Sequence, residues 1–264
     1  MDLQLEGKLA LITGSTAGIG YAIAEALARE EAAVVVNGRT QDRVASAADR
    51  LRSAFPSVKI HELPADLGTA HGAQHTIEQF PEVDILINNV GIFEPKPFEQ
   101  ISDEDWIRFF EVNVLSGVRL SRHYLPLMKQ KNWGRIVFVS SESGLQIPAE
   151  MIHYGMTKTA QLAVARGLAE TTTGTNVTVN AVLPGPTASE GVTEFTTRLA
   201  AGQRMTREEF ERNFFEHMRS SSILKRFETP EEIAALVAFT VSPRASAING
   251  ASLRVDGGVV RSIG

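Results

Sequence analysis

The sequence predicts an α/β fold, a doubly wound parallel sheet of about seven strands with helices on both faces. Short apolar runs alternate with longer stretches of helical periodicity along the chain. Most of the runs are apolar at consecutive positions, which is typical of strands buried on both faces. No repeat, linker or low-complexity stretch interrupts the alternation, so residues 1–264 are predicted to form a single domain.

The predicted elements follow from these patterns and from the residues at their ends. The strands are Leu9–Thr13, Ala33–Asn37, Lys59–Leu63, Ile85–Asn88, Arg135–Ser140, Asn176–Val182 and Ser252–Val255. The helices are Ile19–Glu30, Thr40–Ala54, Thr69–Phe80, Asp103–Gln130, Ala149–Thr173 and Pro230–Val241. Ser102 and Asp105 form a capping box, and Thr229 is an N-cap before a proline at the first helical position. The long connection over residues 188–227 is interpreted as a substrate lid.

Composition excludes several classes of protein. Hydrophobic residues make up 43% of the chain, and the net charge is −5, so neither nucleic acid nor an anionic membrane is expected as a partner. No apolar run is long enough to cross a membrane and no secretory signal is evident, so a cytoplasmic enzyme is expected. The absence of cysteine excludes disulfides and thiolate nucleophiles, and the six histidines have no metal-binding spacing, so no metal is predicted.

A glycine-rich turn follows the first predicted strand. Gly14, Gly18 and Gly20 allow a tight turn, close approach of a ligand to the backbone and close packing of helix on strand. The helix that begins at Ile19 directs its free N–H groups and the positive end of its dipole at this turn. The turn is therefore interpreted as a pyrophosphate site, the alternative being a plain tight connection.

The end of the second predicted strand bears on which dinucleotide would bind. Dinucleotide folds often have Asp or Glu here for the adenosine ribose hydroxyls, whereas this chain has Gly38 followed by Arg39. A guanidinium suits a 2′-phosphate, which favours NADP over NAD. The alternative is a solvated arginine at a strand end.

Tyr154 and Lys158 form a second candidate site. They lie four residues apart and so share one helix face, and Ser141 precedes Tyr154 by thirteen residues. An ammonium beside a phenol is expected to lower the pKa of the phenol, which would make it a proton donor and acceptor for carbonyl/alcohol chemistry. Alone, the pair also fits an ordinary helix surface.

Together these motifs resemble the short-chain dehydrogenase/reductase family, in its single-domain branch, over nearly the whole chain. The matching segments are Thr13–Gly20, Asp66-Leu67, Asn88-Asn89-Val90-Gly91, Asn113, Ser141, Tyr154-x-x-x-Lys158, Pro184–Thr187 and Asp256-Gly257-Gly258. Val90 departs from the family's pattern, which has alanine at that position.

The resemblance implies a Rossmann-like sheet, an NADP cofactor with NAD possible, and a homo-oligomer, either a dimer or a tetramer. It implies cofactor contacts from Gly14, Ser15, Thr16, Gly18, Ile19, Gly20, Arg39, Asp66, Leu67, Asn89, Gly91, Tyr154, Lys158, Pro184, Gly185 and Thr187. It further implies that Tyr154 is the general acid/base, that Lys158 tunes it and binds the nicotinamide ribose, and that Ser141 orients the substrate oxygen. Asn113 would hold a water that connects Lys158 to solvent.

The substrate end is less defined by sequence. Candidates to line a pocket are Glu142, Ser143, Gln146, Met151 and His153. Packing is the alternative for His153, which points off the catalytic helix face, and solvation is the alternative for Glu142. An apolar stripe of Phe210, Phe214, Phe215 and Met218 has helical spacing and could close over a substrate, or pack on the sheet or on another subunit.

The sequence therefore predicts an NADP(H)-dependent oxidoreductase for a small-molecule carbonyl/secondary alcohol pair. Within the family, the general resemblance is to bacterial 3-oxoacyl-carrier-protein reductases. The alternatives are an NAD-dependent alcohol, sugar or steroid dehydrogenase, and a cofactor-binding regulatory protein without catalysis. Retention of both Tyr154 and Lys158 argues against the last of these.

Overall fold

Seven parallel strands form one sheet in the order β3-β2-β1-β4-β5-β6-β7. This is the arrangement of a computed structural model, which describes residues 1–190 and 205–263. The strands are β1 Leu9–Ile12, β2 Ala33–Gly38, β3 Ile60–Pro64, β4 Ile85–Asn88, β5 Gly134–Val139, β6 Val177–Pro184 and β7 Ser252–Val255. In the described residues, the α-helices are α1 Gly18–Arg29, α2 Gln41–Ala54, α3 Ala70–Gln79, α4 Asp103–Phe110, α5 Ser116–Gln130, α6 Ile152–Glu170, α7 Arg207–Asn213 and α8 Pro230–Val241. The predicted α/β fold class is confirmed.

The strand order reverses at β1, and this reversal positions the site. β1 pairs with β2 on one side and with β4 on the other, so that Ile12 lies opposite both Val36 and Ile87. Loops leaving β1 and β4 must therefore diverge to opposite faces of the sheet. The divergence opens a crevice beyond the carboxyl ends of the strands, where ligands bind in sheets of this type.

Both faces of the sheet are buried, which explains why the strands are apolar at consecutive positions. Along β1, Ala10 and Ile12 belong to the core beneath α1 and α8, whereas Leu11 belongs to the core beneath α5 and α6. The side chains alternate between the two cores because successive residues of a strand point to opposite faces. Tyr124 of α5 is fully buried in the second core, with its hydroxyl bonded to the carbonyl of Phe80.

The predicted helix Asp103–Gln130 is interrupted by one π-helical turn. α4 ends at Phe110, and the turn spans Glu111–Leu115, where the N–H of Ser116 donates to the carbonyl of Glu111, five residues back. The capping box at Ser102 is present, so the predicted start is confirmed. Hydrophobic periodicity does not reveal the single extra residue of a π turn. Such turns occur often at functional sites.

The predicted helix Ala149–Thr173 is also shorter in the structure. A single 3-10 turn over Ala149–Met151 precedes α6, which ends at Glu170. None of the helices in the described ranges is long and apolar enough to cross a membrane.

The capping box of α8 generates a stability prediction. The Thr229 hydroxyl accepts from the N–H of Glu232, whose carboxylate accepts from the N–H of Thr229. Replacing Thr229 by alanine should lower the free energy of unfolding by about 1 kcal/mol, measured by urea denaturation. Thr40 is the matched control, since it is the N-cap of α2 but its side chain makes no capping bond. Equal losses in the two alanine variants would contradict the prediction.

Candidate active site

A cleft of about 340 Å³ opens at the carboxyl ends of the strands. It is bounded by the glycine turn after β1, the loops after β4, β5 and β6, the start of α6, and residues 205–227. Its lining is Ala17, Gly18, Ile19, Gly20, Asn89, Gly91, Ile92, Phe93, Pro95, Val139, Ser140, Ser141, Glu142, Ser143, Glu150, Met151, Tyr154, Lys158, Pro184, Gly185, Pro186, Thr187, Ser189, Glu190, Phe210, Phe214, Met218, Arg219 and Phe227. The structure thus brings most of the residues predicted for cofactor and substrate to one cleft.

The glycine turn has the backbone geometry that glycine permits. Gly14 and Gly18 have φ values of +63° and +57°, and a Cβ on Gly20 would lie 2.4 Å from the carbonyl oxygen of Gly14. The side-chain amide of Asn89 donates to that same carbonyl at 3.1 Å, which ties the turn to the end of β4. α1 begins at Gly18 without a side-chain cap, so its first N–H groups are available to an anion in the cleft.

Two residues predicted to contact a cofactor have side chains buried away from the cleft. The Ser15 hydroxyl donates to the carbonyl of Ile12 and accepts from the N–H of Asn37, so it joins the ends of β1 and β2. Leu67 is buried in the core between the sheet and α5. Asp66 is exposed, and its carboxylate accepts from the N–H of Gly68 in a local turn.

Arg39 is exposed directly after β2, close to the glycine turn. Gly38 lies so near Thr16 that a Cβ on the glycine would be 2.5 Å from the threonine methyl. Among the described residues, Arg39 has no hydrogen-bond or ion-pair partner, whereas its neighbour Arg43 pairs with Glu190 and Arg50 donates to the carbonyl of Thr16. A free guanidinium beside the turn is available to a phosphate group.

Lys158 is buried, and its ammonium is held from two sides. It donates to the carbonyl of Val139 at 2.9 Å and to the side-chain oxygen of Gln161 at 3.2 Å. The amide nitrogen of Gln161 in turn donates to the main-chain carbonyl of Asn113 at 2.6 Å. Gln161 therefore bridges Lys158 and the main chain of Asn113, whereas the resemblance implied a water held by Asn113 that connects Lys158 to solvent.

The side chain of Asn113 ties three segments together. Its oxygen accepts from the N–H of Ile92, and its nitrogen donates to the carbonyl of Ile92 and to the Thr157 hydroxyl. These bonds connect the π turn, the loop after β4 and α6. Asn113 is 1% exposed, and both polar atoms of its side chain have protein partners.

The prediction that Lys158 lowers the pKa of Tyr154 is wrong for this arrangement. Burial raises the pKa of Tyr154, and the charge of Glu142 raises it further, while a hydrogen bond with Ser141 and the charge of Arg219 act in the opposite direction. The ammonium of Lys158 lies 5.6 Å from the tyrosine ring centroid and is bonded elsewhere. Burial also lowers the pKa of Lys158 to about 8, against the opposing influence of Glu142.

Ser141, which follows β5, joins Tyr154 to a buried ion pair. Its hydroxyl donates to the carboxylate of Glu142 at 2.5 Å and accepts from the N–H of Ser143 at 3.1 Å. The carboxylate of Glu142 also binds Arg219, and a second nitrogen of Arg219 binds Glu150. Glu142 is thus neither solvated nor isolated.

The other substrate-end candidates divide into two groups. Ser143 and Met151 line the cleft, but Gln146 bonds Ser221 outside it. His153 is fully buried against Phe109, with ring centroids 4.0 Å apart, which is the packing alternative. Both of its ring nitrogens lack a partner, and burial lowers its pKa.

The apolar stripe contributes to both the cleft and the core. Phe210, Phe214 and Met218 line the cleft, whereas Phe215 is buried against Phe214 and Phe227. Part of the predicted lid lies outside the described residues, because residues 191–204 belong to it. The described residues include no cluster of histidine, aspartate and glutamate able to hold a metal ion.

Sequence reasoning missed Gln161 and Arg219. Gln161 lies one helical turn beyond Lys158 on the face that carries Tyr154, so the same helix spacing was available to find it. Arg219 is brought to Glu142 from a point 77 residues away in sequence, and no local pattern indicates that contact.

Comparison with known proteins identifies the family. The sequence model of the family described as short chain dehydrogenase matches residues 8–200. The uncharacterized oxidoreductase YvaG of Bacillus subtilis (strain 168) is 50% identical, and the match covers 100% of each chain. The 3-oxoacyl-[acyl-carrier-protein] reductase FabG of Aquifex aeolicus (strain VF5) is 33% identical over 98% of this chain and 100% of its own.

A solved structure has the same fold. The L-sorbose reductase of Gluconobacter frateurii, complexed with NADPH and L-sorbose, superposes with a TM-score of 0.93 at 31% identity, with 100% of each chain covered. The chain therefore belongs to the short-chain dehydrogenase/reductase family, oxidoreductases that act on CH–OH groups with NAD(P).

Proposed function

We propose that the protein is an NADP(H)-dependent oxidoreductase that interconverts a carbonyl and a secondary alcohol. The observation that carries this proposal is the convergence of Ser141, Tyr154 and Lys158 with the glycine turn in one cleft. A proton donor, an oriented hydroxyl and an anion-binding helix end are the groups that a hydride transfer to a carbonyl requires from the protein.

The geometry of the cleft supports an assignment of the cofactor residues. The N–H groups at the start of α1 would hold the pyrophosphate, and Pro184, Gly185 and Thr187 would contact the nicotinamide end. Arg39 would hold a 2′-phosphate, because it is the unpaired cation beside the glycine turn in the described part of the chain. The related L-sorbose reductase, which was solved with NADPH, supports NADP. When bound, the cofactor supplies or accepts the hydride.

The protein's own residues handle the proton. Tyr154 donates its phenolic proton to the substrate oxygen in reduction, which suits a group whose burial keeps it protonated. Ser141 would orient that oxygen by turning its hydroxyl proton from Glu142 to the substrate. Lys158 remains a fixed cation, held by Val139 and Gln161, and its third proton is available to the nicotinamide ribose.

Further features are proposed for this chain. The 3-oxoacyl-carrier-protein reductase relative supports a 3-oxoacyl type of substrate, and the L-sorbose reductase supports a hydroxyketone. We also expect a cytoplasmic single-domain protein that forms a dimer or tetramer, with the segment over residues 188–227 acting as the substrate lid.

Replacing Tyr154 by phenylalanine tests the proton donor. The variant should lose at least ~10²-fold in kcat, the usual contribution of a positioned acid, while still binding NADPH. Turnover is followed by NADPH absorbance over a panel of ketones, and binding by fluorescence titration. Tyr124→Phe is the matched control, because Tyr124 bonds Phe80 in the core away from the cleft. Near-normal turnover of the Tyr154 variant would refute the mechanism.

Gln161 variants test the link between Lys158 and Asn113. Gln161→Glu places a carboxylate beside Lys158 and raises the pKa of its amine above about 8, so the alkaline fall in kcat/KM should move to higher pH. Gln161→Leu removes an acceptor from the ammonium, and the fall should move to lower pH. The measurement is the pH profile of kcat/KM, with exposed Gln100→Glu as the control. Shifts in the same direction would contradict this role.

Replacing Arg39 by alanine tests the cofactor preference. Arg39→Ala should lower the ratio of kcat/KM for NADPH to kcat/KM for NADH at least ~10-fold, because a charge-assisted hydrogen bond to phosphate is lost. Initial rates with the two cofactors provide the ratio. The control is Arg29→Ala, which removes an exposed arginine paired with Glu25 at the far end of α1. A wild-type enzyme that prefers NADH tenfold would overturn the NADP assignment.

A further inference from the structure

Glu228 is a buried carboxyl residue that packs against the segment after β6. It is 3% exposed and immediately precedes Thr229, the N-cap of α8. Its N–H donates to the carbonyl of Pro186 at 2.9 Å, and its own carbonyl accepts from the N–H of Ala188 at 2.8 Å. The main chain of Glu228 therefore pairs with residues 186–188, in and beside the segment that would contact the nicotinamide.

The side chain of Glu228 reaches Gly185 in the same segment. One carboxyl oxygen, Oε2, accepts from the N–H of Gly185 at 3.0 Å. The other oxygen lies so close that a Cβ on Gly185 would be 2.6 Å from it, and a Cβ on Gly257 would be 3.2 Å from it. The carboxyl group thus fills the space beside both glycines. Glu228 does not line the cleft, so it would act on a bound cofactor through Gly185.

No cation compensates this carboxyl group within the described part of the chain. Glu228 forms no ion pair there, and Arg226, two residues earlier, is bonded to both carboxylate oxygens of Glu232. The other charged groups that act on Glu228 are acidic: Asp256 after β7, Glu232 in α8 and Glu142 after β5. An ionised Glu228 would therefore be a buried charge without a partner, which is costly.

These surroundings keep Glu228 uncharged at neutral pH. Burial raises the pKa of Glu228 to about 8, the N–H of Gly185 opposes this shift, and the charges of the three acidic groups add to it. When the carboxyl group ionises, the cost of burying its charge is relieved as water reaches it. Water can reach it only if the packed segment around Gly185 moves, because the carboxyl group fills the space there.

We propose that Glu228 is a positioning residue for the cofactor, whose uncharged carboxyl group holds Gly185 in the conformation that binds the nicotinamide and whose ionisation releases that segment. The inference rests on the proposed function, since it concerns the cofactor of the same site. It adds a residue outside the cleft that controls cofactor affinity.

Two variants separate the hydrogen bond of Glu228 from its charge. Glu228→Gln keeps an acceptor for Gly185 and cannot ionise. It should bind NADPH like the wild type at about pH 6 and at least ~3-fold more tightly than the wild type at about pH 9.5. Glu228→Ala removes the acceptor, and at about pH 6 it should bind NADPH at least ~3-fold more weakly than Glu228→Gln.

Fluorescence titration with NADPH across this pH range gives the dissociation constants. The pKa of Lys158 is also lowered, by burial, to about 8, but Lys158 is present in every variant. The difference between the wild type and Glu228→Gln therefore reports on Glu228 alone. Glu231→Gln is the matched control, because it removes an exposed carboxylate from the first turn of α8 and should follow the wild type.

Urea denaturation tests the buried carboxyl group without the cofactor. The pKa of Glu228 is higher in the folded chain than in the unfolded chain, so its contribution to stability is lost as the pH rises from about 5 to about 8. Glu228→Gln has no such loss. Its urea midpoint should therefore fall less over this range than the midpoint of the wild type.

The same pH dependence of NADPH binding in the wild type and Glu228→Gln would overturn the inference, and so would equal binding by the Gln and Ala variants at about pH 6. If Glu228→Ala does not fold, the comparison of the wild type with Glu228→Gln decides. A wild-type protein that binds no NADPH at any pH would refute the proposed function and the positioning role together, whereas the urea midpoints would still show whether Glu228 is buried uncharged.

Discussion

The proposed chemistry depends on how α6 docks on the carboxyl end of β5. The Ser140 hydroxyl donates to the carbonyl of Lys158, and the ammonium of Lys158 donates back to the carbonyl of Val139, both within 2.9 Å. These reciprocal bonds fix the rotation and height of the helix relative to the strand. They place Tyr154, one turn earlier on α6, against Ser141, which follows the strand. A small change in this docking would separate the two hydroxyls.

The same docking buries ionisable groups, and burial is the largest cause of their pKa shifts. Lys158 is 4% exposed, and its pKa is lowered to about 8 because the ammonium has lost most of its water. The carbonyl of Val139 and the amide of Gln161 replace part of that hydration. Tyr154 shifts in the opposite sense, since burial disfavours its charged form. Both shifts favour the neutral form, and the charge of Glu142 reinforces the shift of Tyr154 but opposes that of Lys158.

Much of the site could be predicted from sequence because its signals are local. The glycine turn, the four-residue spacing of Tyr154 and Lys158, and the arginine after β2 each lie within one short segment. Other features of the site have no such local signal. Ser15 lies in the glycine turn, but its hydroxyl joins β1 to β2 through the N–H of Asn37. His153 neighbours Tyr154 in sequence, yet it packs on Phe109 of α4, an element about forty residues earlier.

The sequence by itself determined the fold class, the strand positions and the identity of the cleft's main groups, because apolar periodicity and turn chemistry act over a few residues. Only the tertiary structure decided how the charges of the cleft balance. Arg219 meets Glu142, and Gln161 meets the carbonyl of Asn113, across segments far apart in sequence, and no spacing rule predicts either contact. The direction of each pKa shift depends on burial and on partners brought from other elements, so it is a property of the folded chain alone.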